Sequence, residues 1–343
     1  MMYLFFLTAL FMGWSLGAND AANVFGAAVG TKMISFRSAA LVSSVCVIAG
    51  AVLLGEGSSE GLNSLGNIDS LLAASIVLLS AGITVMLMTR LGLPVSTSQA
   101  IIGAIVASNL FFHEPLHLES VSKIALTWVY SPLLAFLISF ALYAAIRWIL
   151  NHMRIHLLMI DHYNRILLFI AGAAGAFALG ANNIANVVGL FIFPFEKAQV
   201  TLLPFFPRLS TQLFFIGSLA IGAGIITFSK RVMITMGNSL FELSAVSAFV
   251  VVISSALVLL LFSSQSLSQF LQHRGLPSFP LIPVSQSQSS VGAVLGIAAA
   301  RKGWHSIRRG LLLKIAAGWV ATPLGAALIT YVSFSFLSLF IDL

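Results

Sequence analysis

Asp20 sits inside an apolar stretch long enough to cross a bilayer, in the run Leu16-Gly-Ala-Asn-Asp-Ala-Ala-Asn-Val-Phe-Gly26. It is the one carboxylate this sequence places deep in such a stretch. A bare charge at that depth costs at least ~2.5–3.5 kcal/mol on insertion scales, so a cation, a proton or a water-filled cavity has to compensate it. Gly17, Asn19, Asn23 and Gly26 surround it. Gly and Asn are poor residues for a helix interior, so the segment is expected to unwind. Exposed carbonyls beside a carboxylate are ligands for a hard cation. The alternative is close helix packing through small residues, because Gly13/Gly17 and Gly26/Gly30 have GxxxG spacing. Packing alone leaves Asp20 and the asparagines without a role.

A second chemistry is written in Pro94-Val-Ser-Thr-Ser-Gln99, which recurs as Pro283-Val-Ser-Gln-Ser-Gln288. Proline breaks the preceding backbone, and the hydroxyls fall where a new helix begins. Free N–H groups and the positive dipole end at such a start favour an oxyanion. Two starts meeting at one point would offer hydroxyl and amide donors to a tetrahedral anion without a buried arginine. Weak neutral donors suit an anion that must also leave. Ordinary Ser/Thr N-capping holds in either case, but alone it does not explain why the motif occurs twice.

The elements that position these residues are membrane spans. Of 343 residues, 59% are hydrophobic and 8% charged, against roughly 25% charged in an average soluble protein, and mean hydropathy is +1.03. Too few polar residues exist to cover a water-soluble globule. The single cysteine, Cys46, excludes an internal disulfide framework or a thiolate metal cluster and reads as a packing residue. Apolar stretches near the ~20 residues a helix needs to span run over roughly 2–30, 39–55, 71–89, 92–112, 122–147, 166–194, 210–229, 244–263, 278–300 and 312–340. The first lacks a basic leader and is read as a retained span rather than a signal peptide. Strand-like alternation is absent, so the expected fold is an all-α polytopic membrane protein of about 10–12 transmembrane segments.

Charge orients it. With both termini external, thirteen of the seventeen basic residues fall inside, and only Lys123, Lys197, Arg208 and Arg274 fall outside. Glu56, Glu60 and Asp69 are then outside, while Lys230, Arg231 and the Arg301, Lys302, Arg308, Arg309, Lys314 cluster are inside. That distribution follows the positive-inside rule, so the net charge of +7 needs no nucleic-acid partner. The membrane lipid is the partner it implies. Trp148 and Trp304 read as interface anchors, and His152, His156 and His162 as solvated loop residues rather than a metal site. Gly26-Ala-Ala-Val-Gly-Thr-Lys32 has the wrong order for a phosphate loop.

The second half resembles the first. Leu179-Gly-Ala-Asn-Asn-Ile-Ala-Asn-Val-Val-Gly189 matches the Asp20 motif, and the two proline motifs match each other. Lys123-Ile-Ala-Leu-Thr-Trp128 with Pro132 matches Lys314-Ile-Ala-Ala-Gly-Trp319 with Pro323. The offsets are 163, 189 and 191, so order is kept and the second half carries an insertion near 230–280. Five spans per half make the copies antiparallel. The loop before Lys314 is basic while its counterpart before Lys123 carries Glu114 and Glu119, as inversion requires. The division expected is 1–150 for the first repeat, 151–165 for a cytoplasmic connector and 166–343 for the second, inverted repeat. Such repeats with broken helices suit an alternating-access transporter whose site lies between the halves. A membrane enzyme would want paired carboxylates or a nucleophile with its base; a lone intramembrane acid argues against one.

At these doubled motifs the sequence resembles the inorganic phosphate transporter (PiT) family, over about residues 10–335. The stretch Lys230-Arg231-Val-Met-Ile-Thr-Met-Gly237 with Phe241-Glu242-Leu243 adds to the likeness. The resemblance implies a secondary symporter of inorganic phosphate coupled to Na+ or H+, with no other cofactor and with the proline motifs as tips of helical hairpins. By motif position, Asn23, Ser96, Thr97, Asn186, Ser285 and Gln286 would contact the anion, and Asp20, Asn19, Asn182 and Asn183 the coupling cations, Asp20 holding Na+ if sodium couples. Asn183 stands where the family often has Asp, Gln286 where it commonly has Thr, and Gln99 and Gln288 where His is common. A sulfate permease of the same family is the near rival and an anion channel the rival from another class. A homodimer is left open.

Overall fold

The computed structural model describes residues 2–63, 68, 70–114, 116, 118–152, 157–237, 243–301 and 303–341. Asp69, Arg154, His156, Phe241, Glu242, Lys302 and the side chain of Glu60 lie outside the described residues. Among those described there are thirteen α-helices, one short 3-10 turn and no strand. The first half holds α1 (Met2–Gly30), α2 (Phe36–Asn63), α3 (Leu71–Arg90), α4 (Thr97–Phe111) and α5 (Leu118–His152). The second holds α6 (Leu157–Asn183), α7 (Ala185–Lys197), α8 (Leu209–Phe228), α9 (Lys230–Gly237), α10 (Ala245–Leu261), α11 (Gln265–His273), α12 (Gln286–Ala300) and α13 (Arg309–Leu337). Helix covers most of the segment between the repeats, since α5 runs to His152 and α6 starts at Leu157.

At least six helices are long and apolar enough to cross a membrane, seven if α10 and α11, bent by 64°, form one span. The stretches 92–112 and 278–300 are not straight spans. Their helices α4 and α12 have 15 residues each, about 22 Å at 1.5 Å per residue, short of the ~30 Å of hydrocarbon. Both are buried along almost their whole length, so protein rather than lipid satisfies the loops that precede them. Ser96 and Ser285 start them as N-caps, accepting from the main-chain N–H of Gln99 and Gln288, each at 3.2 Å.

The expected unwinding differs between the two motifs. Around Asp20 the chain stays helical throughout α1. The second motif is interrupted at one residue, Ile184, between α6 and α7. The glycine and asparagine content serves contact instead. A Cβ on Gly17 would collide with the Ile221 carbonyl of α8, and one on Gly180 with the Val47 carbonyl of α2. Small residues permit such approach where lipid supplies no hydrophobic drive between helices.

These contacts are exchanged between halves. The three most extensive pairings are α2 with α6, α12 with α5 and α13 with α4, each joining one half to the other, and α1 with α8 does so too. Gly103 on α4 abuts the carbonyl of Pro323 on α13, while Gly292 on α12 abuts that of Pro132 on α5. The outer helices are the last of each half: 11% of the most apolar window of α5 and 22% of that of α13 are buried, against 83% for residues 162–197. Pairing Ile221 with Val47 gives an offset of 174, intermediate between those of the flanking motifs.

Candidate functional site

Two asparagines hold the proline loops, and they do it alike. Asn19 Nδ2 donates to Thr89 Oγ1 at 2.8 Å and to the Leu93 carbonyl at 3.2 Å, while its Oδ1 accepts from Val95 N at 3.1 Å. Asn182 Nδ2 donates to Ser263 Oγ at 3.0 Å and to the Ile282 carbonyl at 3.5 Å, and its Oδ1 accepts from Val284 N at 2.8 Å. Both are wholly buried. A side-chain amide carries two donors and an acceptor on separate atoms, and can so bridge N–H and C=O groups of a kinked backbone at once. It satisfies polar groups that proline leaves without a helix partner.

The next residue in each motif faces the helix starts. Asp20 Oδ2 accepts from Thr97 Oγ1 at 3.1 Å, and its Oδ1 is buried with no partner. Asn183, its counterpart, donates to the Leu179 carbonyl at 3.4 Å and accepts from Asn186 Nδ2 at 3.1 Å. Asn186 Nδ2 also donates to Ser98 Oγ at 2.9 Å, tying the second half to the tip of the first, and its Oδ1 is unpartnered. Asp20 with Thr97, and Ser98 with Asn186 and Asn183, thus form two hydrogen-bonded groups that meet at the adjacent residues Thr97 and Ser98.

Beside them lie polar atoms without partners. Both amide atoms of Asn23, both of Gln286, and Oε1 of Gln99 and of Gln288 are buried and unsatisfied, as are Ser289 Oγ and Ser290 Oγ. Each such group costs about 1–3 kcal/mol, so their number around two helix starts marks a place for a polar guest. Ser285 Oγ contacts Ser287 Oγ at 3.1 Å; among the described residues, Ser285 and Gln286 make no hydrogen bond to the Asp20 cluster. Asp20 is the only charged side chain among the buried described residues. Sequence reasoning missed Ser98, Thr89 and Ser263. Ser98 lay within a quoted motif, but nothing short of tertiary contact marks the other two.

A sealed polar cluster between short helix starts, inside a bundle of at least six apolar helices, defines a polytopic membrane transporter. The chain belongs to the phosphate transporter family, whose sequence profile matches residues 16–330. A protein of Pyrococcus abyssi carried under the provisional name of phosphate permease is 26% identical over 96% of this chain and 96% of its own. An inorganic phosphate transporter of Arabidopsis thaliana chloroplasts is 24% identical over 95% of this chain and 70% of its own. A solved structure described as the sodium-dependent phosphate transporter shares the fold, with a TM-score of 0.81, 22% identity and 99% of both chains covered. The molecule is a multi-pass membrane protein that transports phosphate and is not an enzyme.

Proposed function

We propose that the chain is a secondary symporter that brings inorganic phosphate inward with Na+ or H+, its two halves forming antiparallel copies with both termini external. The observation that carries this is Asp20, buried with one carboxylate oxygen bare and no buried cation among the described residues. Two like charges ~5 Å apart repel by about 3 kcal/mol at an effective dielectric of about 20. A phosphate entering beside a bare Asp20 meets that penalty, and a cation or proton on Asp20 removes it. Binding of the two ligands is then mutually reinforcing.

In this reading Asn23, Ser96, Thr97, Asn186, Ser285 and Gln286 hold the anion, whose oxygens meet the free amide donors of Asn23 and Gln286. Asp20 and Asn183 line the cation position. Asn19 and Asn182 adjoin it and fix the tips, each side-chain oxygen keeping a lone pair for a cation. The name of the structural relative favours Na+ as the coupling ion. The test is radiolabelled phosphate uptake into proteoliposomes, with the sodium gradient and the pH gradient imposed separately. Accumulation above equilibrium under one of them is expected; equilibration alone under both would overturn coupled transport.

A further inference from the structure

Trp128 and Trp319 close the two matching motifs Lys123-Ile-Ala-Leu-Thr-Trp128 and Lys314-Ile-Ala-Ala-Gly-Trp319. The Nε1 of each is buried without a partner. An indole N–H can only donate, and a buried one ordinarily finds an acceptor. The helix contacts show what lies level with each. Gly292 of α12 abuts the Pro132 carbonyl and Gly296 the Phe136 carbonyl, so α12 and α5 run in one direction. One turn back from Gly292 and Pro132 stand Gln288 and Trp128. Gly103 of α4 abuts the Pro323 carbonyl and a Cβ on Gly318 would touch Val95, which aligns α4 and α13 in the same way. One turn back from Gly103 and Pro323 stand Gln99 and Trp319. Both glutamines are buried, and the Oε1 of each has no partner. An orphaned donor thus stands level with an orphaned acceptor at both interfaces, each pair joining one half of the chain to the other.

The glutamine oxygens leave a nearer bond unmade. Ser96-Thr-Ser-Gln99 and Ser285-Gln-Ser-Gln288 have the Ser-x-x-Gln spacing of a capping box. In such a box the serine hydroxyl accepts from the main-chain N–H of the glutamine, and the glutamine oxygen accepts from that of the serine. The first bond is made at both helix starts, at 3.2 Å. The second is made at neither, since both oxygens are unpartnered. The same half-made box at two matching starts calls for one cause.

We propose that Trp128 and Trp319 are positioning residues for the anion. Each indole N–H claims the oxygen of its glutamine, directly or through one ordered water, and so keeps the box open. The main-chain N–H groups of Ser96 and Ser285, which a closed box would consume, then remain for phosphate oxygens at the positive ends of α4 and α12. The tryptophans act without touching the substrate. They work from the outer helices α5 and α13, through Gln288 and Gln99, on the helix start of the opposite half. This rests on the phosphate-transport reading and adds two residues to its site.

Initial rates of radiolabelled phosphate uptake are measured with the full chain in proteoliposomes. Trp319→Phe keeps a ring and removes the donor, so Gln99 closes the box on Ser96. Phosphate KM then rises about tenfold, the scale of one hydrogen bond to a charged group, at a little-changed maximal rate. Removing the competing oxygen restores affinity: Trp319→Phe with Gln99→Met returns toward the wild-type KM, and Trp319→Phe with Gln288→Met does not. Trp128→Phe behaves alike with the two glutamines exchanged. The indole N–H magnetic resonance of Trp319, assigned by its loss in Trp319→Phe, shifts in Gln99→Met and stays in Gln288→Met. An unchanged KM in the tryptophan variants, or a rise that the matched glutamine substitution fails to relieve, overturns the positioning role. A Trp319 resonance that ignores Gln99 overturns the pairing. A wild type that moves no phosphate overturns the transport reading instead, and the resonance still decides the pairing.

Discussion

Thr97 donates its hydroxyl to one oxygen of Asp20 at 3.1 Å and leaves the other oxygen bare. The carboxylate is therefore oriented from the helix start of α4 without being neutralised by it. Asp20→Asn keeps the shape and removes the charge. It is expected to abolish concentrative uptake while the protein still folds, as read by accumulation under an ion gradient beside a melting curve. Thr97→Val should instead weaken apparent cation affinity by about ten- to a hundredfold, since a hydrogen bond to a charged group contributes about 1.5–3 kcal/mol.

Asn183 gives the other half a neutral residue at the matching place, engaged with Leu179 and Asn186. Asn183→Asp is expected to admit a second cation, so that uptake rises more steeply with sodium or proton concentration. An unchanged Hill coefficient would show that Asp20 alone sets the coupling.

The Ser98–Asn186 bond at 2.9 Å joins the halves directly. A double-mutant cycle with Ser98→Ala and Asn186→Ala should give a coupling of about 1 kcal/mol in phosphate KM, within the range for residues in contact. Strict additivity would mean the bond does not persist while phosphate is bound.

Asn19→Leu and Asn182→Leu each strip a buried loop of its donor and acceptor. With about 1–3 kcal/mol lost for each orphaned group, both variants should melt several degrees below wild type, by similar amounts because the two clamps are alike. Arg208→Gln serves as the contrast. Its exposed pairing with Glu56 is worth at most about 1 kcal/mol, and its melting point should barely move.

Gly103→Ala and Gly292→Ala push a methyl into the Pro323 and Pro132 carbonyls. Overpacking of this kind costs about 1–3 kcal/mol, and uptake should fall with it. Gly310→Ala, with nothing within 4 Å of the added carbon, should behave as wild type in both assays.

Much of the fold was legible in hydropathy and in the repeat. The apolar runs located α1, α3 and α8 closely, because lipid leaves a long apolar segment no other backbone solution. Length alone misled at 92–112, where the apolar run continues through Pro94 but the helix starts only at Thr97. The segments α9 and α11, eight and nine residues long and amphipathic, fall between the apolar runs and were assigned to no span. Asp20 stood out because a buried acid is costly in any fold. Asn19 and Asn182 were read as cation ligands, and nothing in the sequence hints that their side chains also clamp the loops at Val95 and Val284. That assignment depends on which loop returns beside α1 and α6, which no local pattern encodes.

Each half of the chain ends in a helix that clasps the other half: α5 lies along α12, and α13 along α4. Cutting the chain between residues 152 and 157 would therefore not yield two independent bodies, for each fragment would carry a short, mostly enclosed helix whose outer wall belongs to its sibling. Synthesis order then matters. The first half to leave the ribosome must wait in the bilayer with that face of α4 uncovered until α13 arrives, so this part of the packing is completed only once α13 has been translated.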